Sequence, residues 1–345
     1  MLSKATRGEN LNCNFCERRC DLSDGKLGVC RMYRQENGAI RERFPHRWST
    51  YMLSRIESLP FYHAYPGSRS MTIGTLGCNF DCRYCANGFI AKAEPETRLD
   101  TLYEFTSREL VALATKRGCH NIVFNVNEPT VSLPSLQELA GAAAAAGVPM
   151  GCLTNAYMTE ESTELMAGIF SFMNISLKGL SADFCRQYLG IADASPVLRN
   201  IRQLAATTHL EITTPIIQSV NDGDIDQIAE FIASVDPQIP WHVFRLLPEH
   251  KMKEADYPNV AVIDKALAKS RKLLPYVYFH NFVGSDWVNT NCPSCKTPVI
   301  ERFSLGCGGD RLSRYHCLDN KCPACGRAIN IHGRLTGWNS GEGTV

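Results

Sequence analysis

This sequence has almost no charge imbalance: 36 lysines and arginines face 35 aspartates and glutamates, leaving +1. So even a balance argues against a surface built broadly for polyanions, and nucleic acid is not an expected partner. Long apolar runs are missing too. No segment approaches the 18 apolar residues of a spanning helix, and the opening "MLSKATRGENLNCNFC" lacks the apolar region of a secretory signal. These absences predict a cytoplasmic protein with no membrane partner. Disorder is excluded by a hydrophobic content of 44% in 345 residues, enough for one large core with smaller modules beside it.

Cysteine is what the chain has in excess, with 16 in all. Without a secretory signal, such density points to metal or redox chemistry rather than to disulfides. The positions sharpen that reading. Cys13, Cys16, Cys20 and Cys30 form one group, and Cys78, Cys82 and Cys85 form a second. A third comprises Cys292, Cys295, Cys307, Cys317, Cys322 and Cys325, whereas Cys119, Cys152 and Cys185 stand alone. Structural cysteines scatter; these cluster.

Between the flanking groups, strand-like runs alternate with helical patterns. The runs are 71–76, 121–126, 148–154, 172–177, 209–216, 241–246 and 276–281. One of the helices, "TSRELVALATKRG", opens on the capping-box pair Thr106 and Glu109 and closes on Gly118. The run "AGAAAAAG" reads as a helix packed on the sheet, not a linker. A βα repeat of about 30 residues predicts a parallel sheet with its functional loops at the strand C-terminal ends. The expected architecture is α/β, a partial (β/α)6 TIM-like barrel over 49–285. A four-cysteine metal-binding segment covers 1–48, and a cysteine-rich, zinc-ribbon-like module covers 286–345. Neither flank has the apolar content for a core of its own, so a metal would supply the missing stability.

The loop "GCNFDCRYCANG" at 77–88 follows the first of these runs. Three thiolates within eight residues suit a [4Fe–4S] cluster better than zinc, which wants four closed ligands. A loop supplying three leaves one iron open or ligated from elsewhere. At the other end Cys292-x2-Cys295 and Cys322-x2-Cys325, with 26 residues between the pairs, read as a zinc-ribbon-like site. Its role is structural or in substrate docking. Cys307 and Cys317 are surplus to it. The four N-terminal cysteines could bind one zinc or iron tetrahedrally, or hold a second iron–sulfur cluster. Lying before the first strand, they take a structural role by default.

Cys78-x3-Cys82-x2-Cys85 after the first strand of a repeated βα unit resembles the radical S-adenosylmethionine (SAM) superfamily. The resemblance implies a [4Fe–4S] cluster whose open iron is chelated by SAM, and reductive cleavage of SAM to a 5′-deoxyadenosyl radical under anaerobic conditions. It places Tyr84 by the adenine. "NVNEPT" (125–130) resembles the family's Gly-Gly-Glu-Pro segment, which makes Glu128 the acceptor for the methionyl ammonium. Val126 and Asn127 replace the two glycines there, and Asn127 joins the cofactor contacts. Asn155 in "LTNAY" corresponds to a contact with ribose or carboxylate. Lys178 in "SLKG" corresponds to one with the SAM carboxylate, and Ser176 stands where activating enzymes have an acid. Arg245, ending the sixth run, faces the site or the surface.

Segments 13–33 and 60–80 look like the radical enzymes of AMMECR–MEMO gene neighbourhoods, related to pyruvate formate-lyase activating enzymes. Such a resemblance implies a protein substrate and an external reductant such as ferredoxin or flavodoxin. The added C-terminal module resembles the cobalamin-dependent enzymes that C-methylate a glutamine of methyl-coenzyme M reductase, a step in the chemistry of methanogenesis. The implied partner is then the alpha subunit of that enzyme, and cobalamin an additional cofactor, although the Asp-x-His-x-x-Gly signature of a cobalamin domain is absent. Two other readings stay open. One is an activase leaving a glycyl radical on a partner; the other is a non-enzymatic iron–sulfur and zinc protein carrying electrons or binding RNA.

Overall fold

The seven runs expected to be strands are strands, each within two residues at either end. The computed structural model describes residues 11–337, so 1–10 and 338–345 of the two expected flanking modules lie outside the described residues. One eight-stranded sheet forms the core. Its strands are β1 (Thr50–Arg55), β2 (Arg69–Gly74), β3 (Asn121–Phe124), β4 (Met150–Thr154), β5 (Phe172–Ser176), β6 (His209–Ile216), β7 (Trp241–Arg245) and β8 (Val277–His280). They lie side by side in chain order. β1 pairs antiparallel with β2, and β2 through β8 are parallel. β1 and β8 do not meet, so the barrel is partial.

Six helices return the chain between the parallel strands. They are α1 (Ser107–Lys116), α2 (Leu133–Ala145), α3 (Glu160–Ile169), α4 (Ser195–Ala205), α5 (Ile225–Val235) and α6 (Val260–Leu273). All residues of β2 and β3 are buried, as a sheet covered on both faces requires. The expected capping box is present: the Glu109 amide donates to Thr106 Oγ1 and the Thr106 amide to the Glu109 carboxylate. α2 packs through Leu133, Leu136, Leu139 and Ala143. Ala143 is the only buried alanine of the "AGAAAAAG" run, which otherwise leads out to solvent. β1 went unforeseen because its burial does not alternate and it lies at the sheet's edge.

Neither flank stands apart. The N-terminal segment lies on the loop after β2, with Cys16 in an antiparallel bridge to Met158 and the Phe15 ring stacked on Tyr33. The C-terminal module is a three-stranded sheet of β9 (Thr290–Asn291), β10 (Pro298–Ser304) and β11 (Asp310–Tyr315). It shares a buried cluster, including Val288, Ile300, Tyr62 and Tyr278, with β8 and the chain before β2. Among the described residues, no helix is long and apolar enough to cross a membrane.

Candidate active site

A cavity of about 380 Å³ opens at the C-terminal ends of the parallel strands. Cys78, Cys82 and Cys85 line it, and no fourth cysteine among the described residues does. The loop carrying them is pinned at several points. The Asp81 and Arg83 amides donate to the Leu189 and Tyr188 carbonyls, and Lys251 Nζ reaches the Asp81 carboxylate at 2.9 Å. Asn127 holds its other end: its side chain accepts from the Thr75 amide and donates to the Leu76 and Gly77 carbonyls. The Asn127 amide is therefore spent on the loop, although the residue also borders the cavity. Val126 before it sits at φ +70, a left-handed conformation that a β-branched residue rarely adopts and a glycine would enter freely.

Glu128 is buried beside the cluster loop. Its carboxylate accepts from Thr154 Oγ1 at 2.7 Å, from the Asn155 amide at 2.8 Å, and from the hydroxyl and amide of Thr130. Desolvation raises its pKa, and no lysine or arginine is among the groups that draw it down again. A carboxylate held in place yet lacking a cationic partner fits an incoming ammonium group. Asn155 points its side-chain amide at Asn79 Oδ1, 2.7 Å away, and toward Cys78 Sγ at 3.8 Å. Its own side-chain oxygen is taken by the Tyr157 amide.

Tyr84, Ser176, Lys178 and Arg245 all line the same cavity. Lys178 Nζ lies 5.9 Å from the centre of the Tyr84 ring, and its main-chain carbonyl is held by the side-chain amide of Asn221. Arg245 thus faces the site, and its guanidinium also stacks on Tyr257, 5.3 Å from the ring centre. Burial pushes the Cys82 thiol up to about 11 against the opposing charge of Lys178. Burial, and then the charge of Glu128, raises Cys78. As free thiols both stay protonated at neutral pH, so loading a metal must release protons.

Residues 72–232 match the model of the Radical SAM superfamily. The chain is 28% identical over 331 residues to the "Uncharacterized protein MJ0808" of Methanocaldococcus jannaschii, covering 93% of this chain and 95% of the relative. Among solved structures it is similar to Streptococcus suis SuiB bound to S-adenosylmethionine, at 12% identity and a TM-score of 0.48. That match covers 63% of this chain and 51% of SuiB, so the alignment spans about half the length of that protein. A domain of pyruvate-formate lyase-activating enzyme from Bacteroides vulgatus matches at 22% identity and a TM-score of 0.38, over 46% of this chain and 98% of the domain.

The superfamily whose model matches residues 72–232 implies a [4Fe–4S] cluster and SAM, and the residues at this cavity fit both. Three thiols share a cavity with no fourth, and the one buried carboxylate at its wall lacks a cation. Several lining residues were not foreseen: Asn125, Thr213, Phe244 and Asn281. They reach the cavity only because β3, β6, β7 and β8 end beside it.

The C-terminal quartet is a separate candidate metal site. Cys292, Cys295, Cys322 and Cys325 place their Sγ atoms all within 4.8 Å of one another, with Cys292–Cys325 and Cys295–Cys322 both at 3.6 Å. That spacing suits one tetrahedral ion with metal–sulfur bonds of about 2.3 Å. Two tight turns present the thiols: the Lys296 amide donates to the Cys292 carbonyl and the Gly326 amide to the Cys322 carbonyl. The Thr297 hydroxyl and amide lower the Cys295 thiol to about 6. Cys317 is buried and Cys307 exposed, and neither joins the group.

Proposed function

We propose that this protein is a radical SAM enzyme that modifies a carbon atom of a protein substrate. The observation that carries the reading is Glu128, a buried carboxylate without a cationic partner, on the wall of a cavity lined by three cysteines and no fourth. Cys78, Cys82 and Cys85 would hold the cluster, Glu128 would take the methionyl ammonium, and Lys178 would face its carboxylate. When bound, cluster and SAM supply hydrogen-atom abstraction. The protein's own contribution is to hold the cofactor, orient it with Asn155 and Tyr84, and keep the chemistry below the mouth of the barrel.

A macromolecular substrate is favoured by the rim. Phe89, Tyr257 and Val283 stand exposed next to the lining residues Asn87, Arg245 and Asn281. Apolar groups around a cavity that also presents Glu128, Lys178 and Arg245 suit a folded or peptide partner better than a small polar one. Cobalamin-dependent C-methylation of a glutamine in methyl-coenzyme M reductase is the finer reading, supported by family resemblance. A cavity of about 380 Å³ is at the small end of single-ligand sites, and no described group of residues singles out a corrin site. Activation of a glycyl-radical partner is the competing outcome of the same abstraction.

Equilibrium binding of SAM to the anaerobically reconstituted protein tests the first claim, and absence of binding would sink it. Cys82→Ala is expected to abolish 5′-deoxyadenosine formation while the C-terminal metal stays in place. Cobalamin added during reconstitution decides the finer reading through its visible spectrum: retention supports methylation, and loss on gel filtration favours the activase.

A further inference from the structure

The cavity wall has two polar arcs, and cluster and SAM account for one of them. Cys78, Cys82, Cys85, Glu128 and Lys178 come from the loops after β2, β3 and β5. The other arc comes from β6, β7 and β8, which follow β5 in the sheet, and it presents Thr213, Arg245 and Asn281. Glu128, Lys178 and Arg245 are the ionised side chains of the wall. SAM brings one ammonium and one carboxylate, which Glu128 and Lys178 match. Arg245 is then a cation with no anion to face.

The arginine is nevertheless held in place. Its amide donates to Asn281 Oδ1 at 3.2 Å, and its carbonyl accepts from the Asn281 side-chain amide at 2.9 Å. Its guanidinium rests on the Tyr257 ring. Yet Nε is buried and makes no hydrogen bond, and among the described residues no carboxylate forms an ion pair with this side chain. Thr213 Oγ1, on the neighbouring strand β6, is buried and equally without a partner. A buried donor left unpaired is costly, so two of them on one cavity wall call for an acceptor that arrives from outside.

The surroundings narrow what that acceptor is. Phe244, Pro215, Leu246 and Leu247 give this arc apolar walls, and the Phe244 ring is braced by His280, stacked 4.7 Å away. The chain after Arg245 then turns back to the cysteines, where the Lys251 amide donates to the Arg83 carbonyl. An aliphatic stem ending in a carboxylate fits: apolar walls take the stem, and a planar fork with a hydroxyl takes the head. A side-chain amide in that place would leave the charge of Arg245 unbalanced. We propose that Arg245 and Thr213 are specificity-determining residues that bind a carboxylate of the protein substrate near the carbon to be modified. The proposal rests on the reading in which Glu128 and Lys178 hold SAM. The carboxylate belongs to a glutamate or aspartate side chain or to a chain end. The step is recognition alone, and no bond forms or breaks in it.

The test uses the anaerobically reconstituted protein with SAM bound and three short peptides as probes. These are acetyl-Gly-Glu-Gly-amide, acetyl-Gly-Gln-Gly-amide, and acetyl-Gly-Gly-Gly with a free carboxylate, their affinities read by saturation-transfer NMR. A carboxylate peptide should bind about 10-fold or more tightly than the glutamine peptide, and whichever carboxylate peptide binds better names the source. Arg245→Gln should erase that preference while SAM affinity by calorimetry and iron content stay unchanged. Arg245→Lys should restore part of it, because the charge returns without the fork. Thr213→Val should weaken the carboxylate peptide severalfold. Equal binding of the glutamine peptide, no binding of any peptide, or a preference that survives Arg245→Gln overturns the proposal. So does a fall in SAM affinity in Arg245→Gln, which would assign the arginine to the methionyl carboxylate. Wild type that fails to bind SAM would instead sink the reading of the cavity as a SAM site.

Discussion

Glu128 carries the most weight at the scale of a single residue. Its hydrogen bonds all come from neutral donors, so the position of the group is fixed while its charge is left uncompensated. Glu128→Gln should largely keep the fold, because its one amide oxygen can still accept from Thr154 and Thr130, although the Asn155 amide, which bonds the other carboxylate oxygen, loses its acceptor. It removes one charge-assisted hydrogen bond to an ammonium, a change of about 1.5–3 kcal/mol, or about 10–100-fold in SAM affinity by calorimetry. Equal affinity in the two proteins would show that Glu128 faces no cation. This residue was legible in the sequence through "NVNEPT". Its neighbour Asn127 was legible only as a member of the segment. That it grips Thr75, Leu76 and Gly77 depends on β2 and β3 lying side by side.

The decisive element is the loop from Gly77 to Gly88, and its environment was the least visible part of the site. Its cysteine spacing announced a metal centre, but its contacts with residues 13–32 join segments nearly 60 positions apart. Gly77 is where they press together. It has φ +79, and an added Cβ would meet the Cys30 carbonyl and the Met32 side chain. Gly77→Ala is expected to destabilise the protein by about 1–3 kcal/mol from the left-handed backbone alone. It should also lower the iron content, because Cys30 must move. Gly147→Ala is the control: it shares the positive φ, but an added Cβ there meets nothing within 4 Å. Thermal melts and iron counts showing the two variants alike would mean that the N-terminal segment does not bear on the loop.

Across the whole molecule, a buried polar chain ties the barrel to the C-terminal module. His242 links Glu211 at 2.6 Å to His280 at 2.8 Å, His280 reaches Asp310 on β11 at 2.6 Å, and the Tyr62 hydroxyl donates to the same carboxylate. Arg302 on β10 donates to the Tyr62 carbonyl, and its guanidinium lies over the Tyr62 ring. The Phe244 ring, which lines the cavity, stacks on His280. Burial lowers His63 to about 3 and His280 to about 4. Burial alone would raise Glu211, but His209 and His242 together hold it well below the usual carboxylate range. All three groups bind fewer protons in the folded state than in the unfolded one. The stability they contribute is present above pH 6.5 and is lost as pH falls toward 4, by about 1.4 kcal/mol per pH unit for each histidine. Glu211 adds its own loss below about pH 4.5. The melting temperature should therefore be level from pH 8 to 7, fall below 6.5, and fall faster below 4.5. A level profile down to pH 5 would mean that these imidazoles are charged in the folded protein.

The sequence by itself determined the βα alternation, the three thiol groups and the open-ended cluster loop, because each is written in local periodicity or spacing. Hydrophobic period and cysteine interval act within a few residues, and no distant contact is needed to read them. The tertiary structure decided what those pieces touch. It closed the C-terminal quartet to single-ion spacing and ran a buried chain of histidines from the barrel to β11. It also set the N-terminal segment against the loop that carries Cys78. Those outcomes follow from which strand ends meet at the barrel mouth, a matter of packing between segments far apart in the chain.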